Sequence, residues 1–173
     1  MWPSPVVTGS SLQEGDSISP EEIEEELRNR AEEIFPGKAR KYLARYMRTT
    51  RQFSEHFTAK GYPSSLVNSV VSTLKEEGFL DDSRVAREHL RKRLQTKPRG
   101  RSKLIAELKQ KGIESKLARR IVDEQVDPQK ERNLAERFAE KNKGLEARKL
   151  AYRLKSRGFP APIIHDVVEE YGD

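Results

Sequence analysis

A chain of 173 residues, of which only 34% are hydrophobic and 36% are charged, has too little apolar material for one large core. The absence of cysteine excludes disulfides, thiolate chemistry and cysteine-ligated metals. No apolar run approaches the roughly 20 residues that span a bilayer, and the first residues, MWPSPVVTGSSLQEGDS, lack the basic start and apolar core of a secretory signal. We therefore expect a cytoplasmic protein that does not contact membranes.

The net charge of +6 is distributed unevenly along the chain. Residues 1–35 carry two basic and nine acidic side chains, whereas residues 84–120 carry fourteen basic and three acidic ones. A surface kept only for solubility would mix the two signs. The excess of positive charge in the middle of the chain therefore predicts a polyanionic or acidic partner.

The N-terminal segment is acidic and separate in composition from the rest. We expect residues 1–18 to form a disordered tail and residues 19–35 to form an acidic helix. Ser19 would cap this helix, with Pro20 at its first position, where a fixed φ and a missing donor are tolerated. The helix could shield the basic segment in an autoinhibitory contact or could be a solvated extra helix, and the second interpretation is favoured.

A motif of a basic residue, a glycine and a large apolar residue occurs three times, as KGY at 60–62, KGI at 111–113 and RGF at 157–159. Apolar residues recur four and eight positions before each glycine, and five, nine and ten positions after it. These spacings place apolar side chains on one stripe of a helix before the glycine and of another helix after it. The glycine would end the first helix in the left-handed conformation, so the motif predicts a repeated pair of helices.

Each pair has a further predicted helix upstream, over residues 37–48, 82–95 and 128–141. The chain then divides into three repeats, at residues 36–78, 79–126 and 127–173. Each repeat is too small to bury its own apolar faces, so neighbours must stack. The predicted fold is all-α, with three tandem three-helix repeats forming an elongated, curved helical array and an extra acidic N-terminal helix.

The basic residues of the second repeat are the candidate site. On a helix, Arg84, Arg87 and Arg91 fall within an arc of about 60°, while Arg93 aligns with the apolar stripe. A loop with proline and glycine leads into the next helix, whose N-terminus would offer backbone donors to an anion. The candidate contacts to nucleic acid or to an acidic protein are Arg84, Arg87, Arg91, Lys97, Arg99, Arg101, Lys103, Lys116, Arg119 and Arg120.

Other residues that could carry chemistry have structural interpretations. Asp81 and Asp82 are candidate helix caps, because no third acidic residue stands at a spacing that would support a magnesium site. The three histidines lack metal-ligand spacing, and the sequence has no phosphate-binding glycine loop. We therefore expect no catalytic residue, no cofactor and no metal, and a protein that is not an enzyme. Aromatic residues at helical spacings are assigned to the core: Tyr42, Tyr46, Phe53 and Phe57.

Residues 78–113, GFLDDSRVAREHLRKRLQTKPRGRSKLIAELKQKGI, resemble the RecX family of recombination regulators. The similar features are the opening G-[FY]-[LI]-[DN]-D-x-R-[FV]-A, the basic helix, the glycine-containing loop, and a helix that ends in KG and an apolar residue. The resemblance extends over residues 37–171, with weaker KGY and RGF units. The sequence departs from the family where its loop reads KPRGRSK and where Val85 replaces the commoner phenylalanine.

The resemblance implies a protein that binds the RecA recombinase filament on single-stranded DNA and inhibits its ATPase and strand exchange. It would lodge in the filament groove or block filament growth. The implied partners are RecA and single-stranded DNA; duplex DNA is left open as a further ligand, and we expect a monomer. Two alternatives remain open from the residues alone: an independent DNA-binding helical module or transcriptional regulator, and a protein-binding scaffold whose charge is incidental.

Overall fold

The computed structural model describes residues 2–8 and 19–172, and within these ranges all regular secondary structure is helical. The expected disordered tail at 1–18 lies partly outside the described residues, but Ser4–Val7 within it forms a short helix. In chain order the helices are α1 Ser4–Val7, α2 Pro20–Arg45, α3 Thr50–Thr58, α4 Ser64–Glu76, α5 Asp82–Thr96, α6 Arg101–Gln110, α7 Ser115–Gln125, α8 Pro128–Glu140, α9 Ala147–Ser156 and α10 Ala161–Tyr171.

The chain divides into two compact units, Met1–Asp81 and Asp82–Asp173. The first contains α1 to α4 around a core rich in aromatic rings, in which Phe35 is fully buried. The second contains α5 to α10, and its two predicted repeats share one apolar core that extends from Ala86 to Val167. The prediction of an all-α chain of three-helix repeats is confirmed, whereas the boundaries of the repeats stay a prediction.

The three repeated glycines end α3, α6 and α9 as the sequence predicts. Gly61, Gly112 and Gly158 have φ angles of 92°, 90° and 84°, a conformation that glycine adopts without steric cost. In each case the N–H of the following residue donates to a carbonyl five residues earlier, which is the Schellman closure of a helix. The donor and acceptor pairs are Tyr62 and Phe57 at 3.2 Å, Ile113 and Leu108 at 3.1 Å, and Phe159 and Leu154 at 3.3 Å.

The first long helix differs from the prediction. The acidic helix expected at 19–35 and the first helix of the first repeat, expected at 37–48, are one continuous element, α2, with Pro36 inside it. An internal proline removes one helical hydrogen bond. Phe35 and Ala39, on either side of it, are both fully buried in the core of the first unit. Their packing offsets the loss and keeps the helix continuous.

The N-terminal half of α2 begins as predicted but is more than a solvated addition. Ser19 forms a reciprocal capping box with Glu22: the Glu22 N–H donates to Ser19 Oγ at 3.2 Å, and the Ser19 N–H donates to Glu22 Oε2 at 2.8 Å. Pro20 occupies the first helical position. Further along, Leu27 and Ala31 are buried in the core. The expectation of a solvated extra helix was therefore wrong.

The aromatic residues assigned to the core behave differently from one another. Phe53 and Phe57 are buried and Tyr42 is partly buried, but Tyr46 is 48% exposed. Tyr46 follows the last residue of α2 and has an extended backbone, with φ −132° and ψ 115°. Because α2 ends at Arg45, Tyr46 is not part of the helix, and the helical spacing that assigned it to the core does not apply to it.

Two classes of feature are absent from the part of the chain that the structure describes. No helix there has the length and apolar character that crossing a membrane requires. Within the same ranges, no three His, Cys, Asp or Glu side chains come together in a group that could hold a metal ion.

Candidate functional site

The candidate cations of α5 and α7 meet at one edge of the second unit, where these two helices pack together. Arg87 Nη2 of α5 lies 3.4 Å from Glu124 Oε2, and Arg120 Nε of α7 lies 3.8 Å from Glu124 Oε1. The arginine side chains are 49% and 64% exposed. Because water screens such pairs, they contribute little to stability and leave both guanidinium groups accessible to a partner.

Further cations extend this edge along both helices. Arg84 and Arg91 are exposed on the same arc of α5, and Lys116 and Arg119 are exposed on the same arc of α7. Lys116 and Arg119 have no ion-pair partner among the described residues. We name this surface the α5/α7 face, and it consists of Arg84, Arg87, Arg91, Lys116, Arg119 and Arg120.

Arg91 is oriented along α5 by a carboxylate one turn earlier. Its Nε and Nη2 donate to the two oxygens of Glu88 at 2.9 and 2.8 Å, and Lys92 Nζ lies 3.2 Å from Glu88 Oε1. Hydrogen bonds from Arg91 and then Lys92 lower the pKa of the Glu88 carboxyl to about 2. Arg91 nevertheless keeps 59% of its side chain exposed, so it remains part of the accessible surface.

Arg99 lies in a different environment, in a cluster around Glu107 of α6. The Glu107 side chain is only 10% exposed, and its Oε2 accepts from Arg93 Nε at 2.8 Å and lies 3.1 Å from His89 Nε2. Arg99 Nε is 3.6 Å from the other carboxylate oxygen. Burial lowers the pKa of His89 although Glu107 acts in the opposite direction, so His89 is mainly neutral at pH 7. The cluster ties α5 and the following loop to α6.

The N-terminus of α6, which the sequence suggested as an anion site, is occupied by a carboxylate of the protein itself. The Arg101 N–H donates to Glu131 Oε1 of α8 at 2.7 Å, and Glu131 is 5% exposed. The Gly100 N–H donates to the Arg157 carbonyl at 3.0 Å, and the Arg101 guanidinium pairs with Asp123. The expectation of open backbone donors here was therefore wrong, because an internal carboxylate uses the helix end.

The remaining two lysines lie apart from both clusters. Lys103 projects from the side of α6 opposite to Arg101. It packs closely against Gly158, since a Cβ built on that glycine would lie 2.6 Å from the Lys103 Cβ. Lys97 directly follows α5 and is exposed. The ten candidate cations therefore do not form one surface: six make up the α5/α7 face, and the other four are spread over α6 and the loop before it.

Two buried carboxylates that organise this region were not predicted from the sequence. Glu107 stands three residues after Leu104, and Glu131 stands three residues before Leu134, so each is in register with a buried apolar residue. An acidic residue in an apolar stripe indicates a buried ion pair or a cap, and that signal was present. Their partners could not be read from spacing, because Arg93 is 14 positions from Glu107 and Arg101 is 30 from Glu131.

The fold and the site define an all-helical protein of three-helix repeats with an exposed cationic face. The sequence profile of the second three-helix domain of RecX matches residues 81–120, which contain the α5/α7 face. The Regulatory protein RecX of Treponema pallidum (strain Nichols) is 32% identical over 124 residues, which cover 70% of this chain and 76% of that protein. The chain therefore belongs to the RecX family of regulatory proteins.

Other relatives agree in sequence and in fold. The Regulatory protein RecX of Geobacillus kaustophilus (strain HTA426) is 29% identical over 140 residues, covering 76% of this chain and 51% of that protein. The crystal structure of RecX from Lactobacillus salivarius superposes with a TM-score of 0.70 at 18% identity, over 79% of this chain and 93% of that one. A second crystal structure, of a regulatory protein RecX, gives a TM-score of 0.72 at 19% identity, over 95% and 86%. These structures establish a common fold.

Proposed function

We propose that this protein binds RecA filaments assembled on single-stranded DNA through the α5/α7 face, and that it inhibits their ATPase and strand exchange. Membership of the RecX family supports this role, because the resemblance implies it. The observation that carries the proposal is the α5/α7 face itself, where Lys116 and Arg119 have no ion-pair partner among the described residues. Cations that the protein leaves unneutralised are available to phosphates or acidic side chains of a partner.

The same face gives the interaction a measurable dependence on salt. Each phosphate that a lysine or arginine neutralises on a single strand releases counterions, with a slope of about −0.7 in the logarithm of affinity against the logarithm of salt concentration. Removing two contacting cations should therefore flatten the slope by about 1.4. If the face instead contacted acidic groups of the recombinase, the affinity would still fall with salt. The slope would then not change by about 0.7 for each cation removed.

The experiment is ATP turnover by RecA preassembled on single-stranded DNA, titrated with the protein at two salt concentrations, with binding to bare DNA followed in parallel. We expect turnover to fall at protein concentrations that barely bind bare DNA. The double variant Lys116→Glu and Arg119→Glu should weaken inhibition at least tenfold, because it reverses two exposed charges on the face without removing an ion pair seen among the described residues.

A matched control is available in the same unit. Lys141 and Lys143 are exposed, lie in the segment after α8 and are not among the residues of the α5/α7 face. Their double change to glutamate alters the net charge by the same amount. The control should inhibit like the unmodified protein. Equal loss in both variants would mean that only net charge matters. Unchanged turnover together with strong binding to bare DNA would replace the proposal with an independent DNA-binding module.

A further inference from the structure

The first unit contains a pocket of about 420 Å³ between α2, α3 and the short α1 segment. Its floor is aromatic, and its rim carries two lysines. Among the described residues, none of those that line it is acidic. Its lining includes Lys38 and Tyr42 of α2, His56 of α3, and Lys60 in the turn that follows α3.

The cations of this pocket lack internal counter-charges. Neither Lys38 nor Lys60 has an ion-pair partner among the described residues. Burial lowers the pKa of Lys38, and the positive charges of Lys60 and Arg30 lower it further. Burial likewise lowers the pKa of His56, with smaller effects from Lys60 and Arg48. Like charges gathered in a partly desolvated pocket are stabilised by a bound anion.

The aromatic side chains supply a second kind of contact. The Tyr42 ring stacks on the His56 ring with a centroid separation of 4.4 Å and an interplanar angle of 13°. Tyr46 continues the row, 5.2 Å from Tyr42, and is 48% exposed. Arg48 lies over the Tyr46 ring at 5.3 Å and donates from Nε to the Tyr42 hydroxyl at 3.0 Å. Aromatic rings interleaved with cations are the arrangement that proteins use to stack bases beside phosphates.

We propose that this pocket binds a nucleotide, with the phosphate between Lys38 and Lys60 and the base against the aromatic row that Tyr42 and His56 begin. The site shares no residue with the α5/α7 face and lies in the other unit, so it goes beyond the function proposed above. The nucleotide can come from two sources, a free mononucleotide or one residue of a single strand. A carboxylate ligand would interact with the two lysines only. A nucleotide would interact with the lysines through its phosphate and with the aromatic rings through its base.

The His56 ring provides a local reporter for the test. The chain has three histidines, so the His56 imidazole signal in a proton–carbon NMR spectrum can be assigned by its loss in a His56→Gln variant. The full-length protein is titrated separately with inorganic phosphate, thymidine monophosphate and a short oligothymidylate. We expect the His56 signal to move with thymidine monophosphate at concentrations at least about fivefold lower than with inorganic phosphate, since the base adds a stacking contribution. The relative potency of the oligothymidylate identifies the source of the nucleotide.

Two variants separate the roles of charge and ring. Lys38→Gln with Lys60→Gln should abolish the shift of His56 with every probe. The matched control, Lys41→Gln with Lys75→Gln, removes two exposed lysines from the same unit and should leave it unchanged. Tyr42→Leu should remove the preference for the nucleotide over inorganic phosphate, whereas Tyr42→Phe should keep it, because only the first variant loses the ring.

Several results would overturn the assignment. One is a His56 signal that no probe moves; another is a shift that persists in the Lys38 and Lys60 double variant, with helical content shown by circular dichroism to be intact. Equal response to inorganic phosphate and thymidine monophosphate would reduce the site to a simple anion pocket. Each of these readings is local to the first unit, so it is independent of whether the α5/α7 face inhibits RecA.

Discussion

Glu88 and Glu107 each hold at least two cationic side chains, but their surroundings differ. Glu88 is on the outer surface of α5, where Arg91 and Lys92 approach it from the same helix. Glu107 is 10% exposed and receives Arg93 and Arg99 from a different helix and a loop. A surface pair contributes little to stability, whereas removing one partner from a buried cluster leaves the others uncompensated.

Replacing the Glu107 carboxylate should destabilise the second unit. In Glu107→Gln, the Arg93 and Arg99 guanidinium groups lose their counter-charge in a region largely shielded from water. We expect a loss of about 2–3 kcal/mol, below the roughly 3–5 kcal/mol for breaking a fully buried pair, because Arg93 is 33% exposed. Urea unfolding measures it, with Glu88→Gln as the control that should leave the midpoint nearly unchanged. A Glu107→Gln midpoint equal to that of the control would contradict the structural role of the cluster.

The Glu88 carboxyl should titrate at an unusually low pH. Hydrogen bonds from Arg91 and Lys92 lower its pKa from an ordinary 4.5 to about 2. Since the folded-state pKa is depressed, the small contribution of this solvent-screened cluster to stability is present above pH 4.5 and is lost as the pH falls towards 2. Carbon-detected NMR of the glutamate carboxyl groups gives the midpoint directly. Arg91→Gln should raise it, and a midpoint near 4.5 in the unmodified protein would refute the hydrogen-bonded geometry.

At the scale of helices, the contact between the start of α6 and the end of α9 depends on two glycines. A Cβ built on Gly100 would lie 2.1 Å from the Gly158 carbonyl oxygen. Ser102 Oγ donates to that same oxygen at 2.7 Å, which holds the two backbones together. Because the obstacle is backbone, no rotation of a side chain can relieve it.

Gly100→Ala should therefore be destabilising even though φ at Gly100 is −73°, a value that alanine adopts freely. We expect a loss of about 1–3 kcal/mol from the forced separation of α6 and α9. Gly37→Ala is the opposite control: Gly37 lies inside α2 with nothing within 4 Å of an added Cβ, so alanine should stabilise by about 0.5–1 kcal/mol. Thermal unfolding of both variants tests the pair, and a neutral Gly100→Ala would show that the helices can separate without cost.

The elements that the sequence predicted well are those whose cause is local. The closures at Gly61, Gly112 and Gly158 depend on residues within one helical turn, and so does the Ser19 cap. The continuity of α2 through Pro36 could not be predicted in this way. It depends on tertiary burial of the residues around the proline, which outweighs the local preference for a break.

The sequence predicted which cations belong to the candidate site better than it predicted how those cations are arranged. The arcs of α5 and α7 follow from helical periodicity, so their cations were found. The roles of Arg99 and Arg101 depend on Glu107, Glu131 and Asp123, and only the folded chain brings those carboxylates close. The proximity of Tyr42, His56 and Lys60 in one pocket was not predicted for the same reason, because α2 and the end of α3 must first pack together.

At the scale of the whole molecule, the two units have separate apolar cores. Separate cores allow separate unfolding, because cooperativity requires shared packing. The chain has one tryptophan, Trp2, whose Nε1 donates to Glu24 at 2.9 Å in the first unit. Its fluorescence therefore reports on that unit alone.

Phe35→Ala should lower the midpoint of the tryptophan transition, since deleting a fully buried ring costs about 3–5 kcal/mol. Leu104→Ala, at a fully buried position in the second unit, should leave the tryptophan transition in place while shifting part of the circular dichroism signal. Denaturant titration followed by both signals makes the comparison. If both variants shifted one common transition by similar amounts, the units would unfold together.

The carboxylate of Glu131 at the N-terminus of α6 also bears on how the chain is made. A ribosome adds about 5–20 residues per second, and Glu131 is 30 positions later in the chain than Arg101, whose N–H it accepts. For roughly 1.5–6 s of synthesis, the start of α6 exists without its partner and must be solvated. The second repeat therefore reaches its final form only after the beginning of the third has been translated, which sets an order of completion along the nascent chain.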